Sequence, residues 1–242
     1  MLNFESEIKN RIEFIQNILK DAKADGIVYG NSGGKDSALV GILCKMACQN
    51  TLGIIMPCES KQNFNLDMKD AEDVADQFKI ETEIVDLTSM KKSLKILLKD
   101  EIEITKEADS NIAPRLRMTT LYTIAASKNY LVAGTSNRSE IHMGYFTKWG
   151  DGGCDFNPIA DLTVTEIYEF LKYLKAPESI ISKAPSAGLF EGQTDEDDMG
   201  ITYKNIDEYL LNGLATEEDK NIIERYHNSS EHKRKMPMIF KR

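Results

Sequence analysis

The chain has 242 residues, of which 41% are hydrophobic and 29% charged, and its formal net charge is −9. That length supports one large α/β domain with a substantial core, and a single domain over residues 1–242 is expected. The acidic balance lacks the basic footprint of nucleic-acid binders, and apolar runs such as Leu52 to Met56 are too short to cross a bilayer.

Met1 to Asn10 carries Glu5 and Glu7 where a secretory signal would carry a basic stretch and then an apolar one. Cys44, Cys48, Cys58 and Cys154 form no Cys-x-x-Cys pair. A reduced, cytoplasmic protein is expected, with Cys44 and Cys48 packed on one helix.

Phe4, Ile8, Ile12, Ile15 and Leu19 recur at helical spacing and predict an amphipathic helix over roughly 3–23. Gly26 to Tyr29 reads as a short buried strand, followed by a glycine-rich turn at 30–34 and a helix over 35–48. Leu52 to Met56 is a second strand, stopped by Pro57, and Glu81 to Val85 is a third, after a helix over 66–79. Helices are predicted over 88–99 and 114–128, then a strand from Tyr130 to Ala133. Residues 147–161 read as a loop, and Thr163-x-x-Glu166 is a capping box opening a helix to about 175. Residues 184–200 read as a long loop able to close over a site, and 216–227 as a final helix.

Strands alternating with helices imply a doubly wound α/β fold, with a mostly parallel sheet covered on both faces. Ligands in such folds bind beyond the carboxyl ends of the strands. The loops at 30–37 and 134–140 leave predicted strands there.

The first of these holds Gly30-Asn31-Ser32-Gly33-Gly34-Lys35-Asp36-Ser37 between a strand and a helix. Glycines let backbone N–H groups approach an anion, the helix N-terminus adds a favourable dipole, and serines add donors. The spacing is neither that of a Walker A loop nor Gly-x-Gly-x-x-Gly. The Ser-Gly-Gly-x-Asp-Ser string resembles the PP-loop of the ATP pyrophosphatases, which split ATP into AMP and pyrophosphate. The resemblance implies that residues 30–37 hold ATP and that Asp36 holds magnesium.

Several strings follow in order. They are Asn111 to Met118 with Tyr122, Gly134 to Glu140, Gly144 to Asp151, Asp155 to Pro158, Pro185 to Leu189, Gly192 to Glu196, and His232 to Arg234. This series resembles the NAD synthetase family across about residues 27–235. The resemblance implies that Glu140 joins Asp36 on magnesium, and that Thr135 and Ser186 contact ATP. It implies that Arg115, Lys148, Asp155, His232 and Lys233 bind deamido-NAD. The implied reaction adenylates the nicotinate carboxylate, after which ammonia displaces AMP. The implied assembly is a homodimer, without the glutaminase domain that some relatives carry and without a nucleic-acid or membrane partner.

His142 has no matching role, and Trp149 is open to packing or ring stacking. Taken alone, the basic run from His232 to Lys235 reads as a solvated tail. Val164 stands where the family pattern places a lysine on the ATP phosphates. Lys35, at the variable position of the loop, can restore that charge or point into solvent. Other functions stay open: the same chemistry on nicotinate mononucleotide, a tRNA-modifying enzyme with this loop, or a nucleotide-binding regulator without turnover.

Overall fold

The computed structural model describes residues 2–59, 66–183 and 194–240. Four parallel strands form one sheet in the order β3-β2-β1-β4. They are β1 (Gly26–Gly30), β2 (Thr51–Ile55), β3 (Glu81–Ile84) and β4 (Tyr130–Ala133). β1 pairs with β2 and β4, with Val28 opposite Leu52 on one side and Val132 on the other. Both central strands are apolar runs with little alternation, as expected for strands covered on both faces.

α1 (Phe4–Ala22), α2 (Lys35–Ala47) and α3 (Met68–Phe78) precede β3; α4 (Thr88–Leu98), α5 (Lys106–Ser110) and α6 (Ile112–Lys128) precede β4. After β4 come α7 (Arg138–Met143), α8 (Val164–Tyr173), α9 (Glu178–Ile181), α10 (Asp195–Met199), α11 (Tyr203–Asn212) and α12 (Glu217–Ser229). One face of the sheet joins α1, α2 and α8 in a core that includes Ile15, Tyr29, Leu39, Ile42, Leu43 and Phe170. Cys44 lies in this core and Cys48 packs against it, as the helical spacing suggested. The other face places Val28, Ile54 and Val132 against Leu121 and Ala125 of α6. A third cluster, with Met143, Val164, Met199, Tyr203, Ile206 and Ile223, joins α7, α8, α10, α11 and α12.

The strand order fixes where a ligand can sit. The chain moves outward from β1 to β2 to β3 and then returns to the opposite side of β1 as β4. The switch point therefore lies between the carboxyl ends of β1 and β4, where the loops before α2 and α7 emerge.

The predicted helices and strands recur with ends shifted by one or two residues. α6 begins before Pro114, which the first turn tolerates because its missing N–H has no partner there. Five helices went unread, the short α5, α7 and α9 together with α10 and α11. The stretch expected as loop to residue 200 contains α10, opened by a capping box between Thr194 and Asp197. α11 starts at the Thr202 cap and stops at Gly213, which takes the left-handed conformation. The rest of the expected 184–200 loop lies largely outside the described residues.

Candidate active site

The loop after β1 is tied down from several directions. The Asn31 amide N–H bonds the Ile54 carbonyl (2.9 Å), and its buried side chain donates to the Ala71 carbonyl of α3 (3.1 Å). Gly33 has φ +71, and a Cβ there would collide with the Asp67 carbonyl, so only glycine fits. Ser37 Oγ accepts from the Ser32 N–H (3.3 Å) and donates to the Gly34 carbonyl (3.0 Å). The two serine hydroxyls lie 3.1 Å apart, sharing a hydrogen bond. Gly34 caps α2 without a side chain, which leaves the helix N-terminus to bind something else.

α7 brings the second half of the site. Asn137 and Glu140 form a reciprocal capping box: the Asn137 side chain accepts from the Glu140 N–H (2.9 Å), and Glu140 Oε2 accepts from the Asn137 N–H (3.2 Å). The same Asn137 donates Nδ2 to Asp36 Oδ1 (3.0 Å), so it bridges the two acids. Lys35 donates to Asp36 Oδ2 (2.8 Å) with only 7% of its side chain exposed.

Electrostatics confirm that these groups form one cluster. Burial and the nearby Asp36 charge push the Glu140 carboxyl well above the usual range, although Lys35 opposes this. Burial works against the Lys35 charge, but the fields of Asp36 and Glu140 outweigh it and raise its pKa. Lys35 is thus ion-paired with Asp36 and lies in the field of Glu140.

Lys35 is therefore not in solvent. Its Nζ lies 5.7 Å from the centre of the Tyr203 ring. Val164, 3% exposed, packs in the same apolar cluster as Tyr203.

A second group forms around the loop at 144–153. Lys148 Nζ donates to the His232 carbonyl (2.5 Å), and Lys233 Nζ donates to the carbonyls of Gly144 (2.8 Å) and Phe146 (2.9 Å). Arg234 Nη1 bonds the Ile141 carbonyl (3.2 Å). The basic run that read alone as a solvated tail is thus the anchor of this loop. Asp155 accepts from the Tyr122 hydroxyl (3.1 Å) and the Val132 N–H (2.8 Å), which pins it at the end of β4.

The structure joins Lys35, Asp36 and Glu140, and separately Lys148, His232 and Lys233. Arg115, exposed on α6, and Thr135, in the loop after β4, bond no other candidate among the described residues. Ser186 lies outside the described residues. Trp149 is 49% exposed with φ +59, so it is not a core residue. His142 stacks on His227 at 4.2 Å, which fits a structural role.

Sequence reasoning missed Asn137 as a bridge, although its Asn-x-x-Glu spacing is a cap signal. It also missed buried Asp207, which accepts from Ser139 Oγ (2.5 Å) and the Thr165 N–H (2.7 Å) and so ties α7 to α8. Lys183, which reaches the phosphate loop, carried no sequence signal at all.

A parallel sheet with this loop at its switch point defines a PP-loop-like α/β protein. The sequence profile described as NAD synthase matches residues 7–237. A Carboxydothermus hydrogenoformans protein named NH(3)-dependent NAD(+) synthetase is 47% identical over 241 residues, covering 98% of each chain. The solved NMN synthetase of Francisella tularensis superimposes with a TM-score of 0.93 at 34% identity, covering 99% of both chains. The NH3-dependent NAD synthetase of Campylobacter jejuni gives 0.82 at 33% identity, covering 100% of both. The chain belongs to the NAD synthase family.

Proposed function

We propose that this protein is an ammonia-dependent NAD synthetase, converting deamido-NAD, ATP and ammonia to NAD, AMP and pyrophosphate. The observation that best supports this reading is the Asp36–Glu140 pair, bridged by Asn137 and set against the phosphate loop. The full-length likeness to proteins of that name agrees with it. Free ammonia as the nitrogen source goes with the names of the relatives that match along 98% of the chain.

A carboxylate is a poor acyl donor because its oxygen leaves badly. Transfer of its oxygen onto the α-phosphate of ATP releases pyrophosphate and leaves AMP as the leaving group. Attack by ammonia on the acyl carbon then forms the amide and frees AMP. No covalent enzyme nucleophile is needed; positioning and charge stabilisation suffice. The N–H groups of residues 32–37 would hold the phosphates, with Gly30 and Asn31 setting the loop and Thr135 and Ser186 adding contacts. Arg115, Lys148, Asp155, His232 and Lys233 would hold the dinucleotide.

The acidic pair fits magnesium. No group of three or more potential ligands gathers among the described residues, and magnesium commonly takes one or two carboxylates plus water and substrate phosphates. Asp36 and Glu140 would hold the ion, which when bound neutralises phosphate charge.

The acceptor has a second reading, because the NMN synthetase structure superimposes with the higher TM-score. Purified protein with ATP, magnesium and ammonium, given deamido-NAD or nicotinate mononucleotide separately, tests both. NAD and AMP in equal amounts from the dinucleotide are expected. Preference for the mononucleotide would move the assignment to that substrate, and silence with both would reject the proposal.

We further propose a cytoplasmic homodimer. No helix among the described residues is long and apolar enough to cross a membrane. Met90, Leu94 and Leu97 lie along one face of α4 with 50%, 36% and 75% exposure, which supports association. Sedimentation velocity should give twice the chain mass; a monomer at micromolar concentration would remove the dimer.

A further inference from the structure

Lys183, just after α9, reaches back across the fold to the phosphate loop. Its Nζ donates to Asp67 Oδ1 (2.8 Å), Asp70 Oδ2 (2.7 Å) and the Gly33 carbonyl (3.2 Å). The two acids belong to the start of α3, and Asp67 is 8% exposed. The Lys183 backbone is fixed in turn, because its carbonyl accepts from the Tyr168 hydroxyl of α8 (2.6 Å). Three segments distant in sequence thus meet on one ammonium.

The contact falls on the peptide between Gly33 and Gly34. Neither flanking residue has a Cβ, so side-chain sterics do little to hold this peptide against a flip. Its carbonyl and N–H point in opposite directions because the bond is trans. Holding the Gly33 carbonyl toward Lys183 therefore turns the Gly34 N–H the other way, to the side where Ser32 Oγ accepts it at a long 3.3 Å. That donor belongs to the cap of α2, where an anion is favoured. Asn31, bonded to Ala71, ties the same loop to α3 one turn further on.

We infer that Lys183 is a positioning residue for ATP: clamped by Asp67 and Asp70, it fixes the Gly33–Gly34 peptide so that the Gly34 N–H faces the bound phosphates. This rests on the proposal that the loop holds ATP. Removing the ammonium does two things. It frees the peptide to flip, and it strips Asp67 and Asp70 of a cation beside a polyanion site. Both weaken ATP, and neither touches the dinucleotide residues.

The test is calorimetric titration of magnesium-ATP into the full chain without deamido-NAD, so that no turnover occurs. Wild type is compared with Lys183→Met and Lys183→Arg, and KM is measured for each substrate in turn. Lys183→Met should weaken ATP about tenfold, the scale of one lost hydrogen bond to a charged group. The KM for deamido-NAD should stay within about twofold, and Lys183→Arg should recover most of the ATP affinity. Equal ATP affinity in wild type and Lys183→Met would overturn the inference, as would equal weakening of both substrates. If Lys183→Met does not fold, Asp70→Asn, which drops one arm of the clamp, should show the same selective loss at a few-fold scale. Wild type that binds no ATP would instead overturn the underlying functional proposal.

Discussion

Lys35→Ala is expected to lower kcat on the order of a hundredfold or more, while Lys20→Ala leaves it unchanged. Lys20 is exposed on α1, whereas Lys35 is buried at the first turn of α2 and bonded to Asp36. Its ammonium belongs to the loop at residues 30–37, and on the proposed reaction it would oppose phosphate charge as pyrophosphate departs. Removing a preorganised donor to developing charge costs about 2.7–4 kcal/mol in measured cases. The same position would let Lys35 supply the charge that Val164 lacks. Val164 is buried in the apolar cluster that includes Tyr203, and the Lys35 ammonium lies 5.7 Å from the centre of the Tyr203 ring. Lys35→Met keeps the length and most of the packing, which separates charge loss from cavity formation. Thermal melting should show Lys35→Met folded, and wild-type kinetics in that variant would remove Lys35 from the catalytic machinery.

The second large effect concerns the acidic pair. Glu140→Gln should lower kcat by about a thousandfold and raise the magnesium concentration needed for activity. It should also leave the metal-free protein at least as stable as wild type. The sign follows from electrostatics. Burial and the Asp36 charge disfavour ionised Glu140 in the fold, so its pKa is raised. Wherever an acid's pKa is higher folded than unfolded, its ionised form opposes folding as pH rises above the unfolded value. Glutamine copies the neutral form and removes that opposition, while the Glu140 backbone N–H keeps its bond to Asn137. Asp36→Asn should lose activity on a similar scale. Its effect on stability differs, because Lys35 then loses its hydrogen-bonded ion-pair partner. Urea denaturation in chelator, beside magnesium titration of activity, checks both halves. A Glu140→Gln protein that is clearly less stable and normally active would refute this account of the pair.

Much of this was legible in the sequence because it is local. The phosphate loop announces itself by glycines and serines between a strand and a helix. The cap pair at Thr163 and Glu166 is spaced by one helical turn and was read, while the same spacing at Asn137 and Glu140 was not. Alternating strands and helices placed both loops at the carboxyl ends of strands, and the order β3-β2-β1-β4 puts those loops side by side.

What escaped depends on contacts far apart in the chain. Lys183 and Asp67 are 116 residues apart, and nothing local marks the lysine as a loop clamp. Asp207 stands beside Glu208 with nothing local to set it apart, yet it is buried against α7 and α8. The basic run near the C-terminus reads as solvated until the carbonyls of Gly144 and Phe146 are seen to receive Lys233. α11 was passed over because its apolar positions, Tyr203, Ile206 and Leu210, are interrupted by the buried Asp207.

In the proposed reaction the substrate carboxylate attacks the α-phosphate of ATP held at the loop of residues 30–37. The most direct test gives the enzyme ATP, magnesium, ammonium and deamido-NAD carrying heavy oxygen in its nicotinate carboxylate. Adenylation followed by ammonia attack breaks the acyl carbon–oxygen bond, so the account predicts one labelled oxygen in AMP and none in pyrophosphate. Label in inorganic phosphate, with ADP as the nucleotide product, would mean attack at the γ-phosphate and would contradict it.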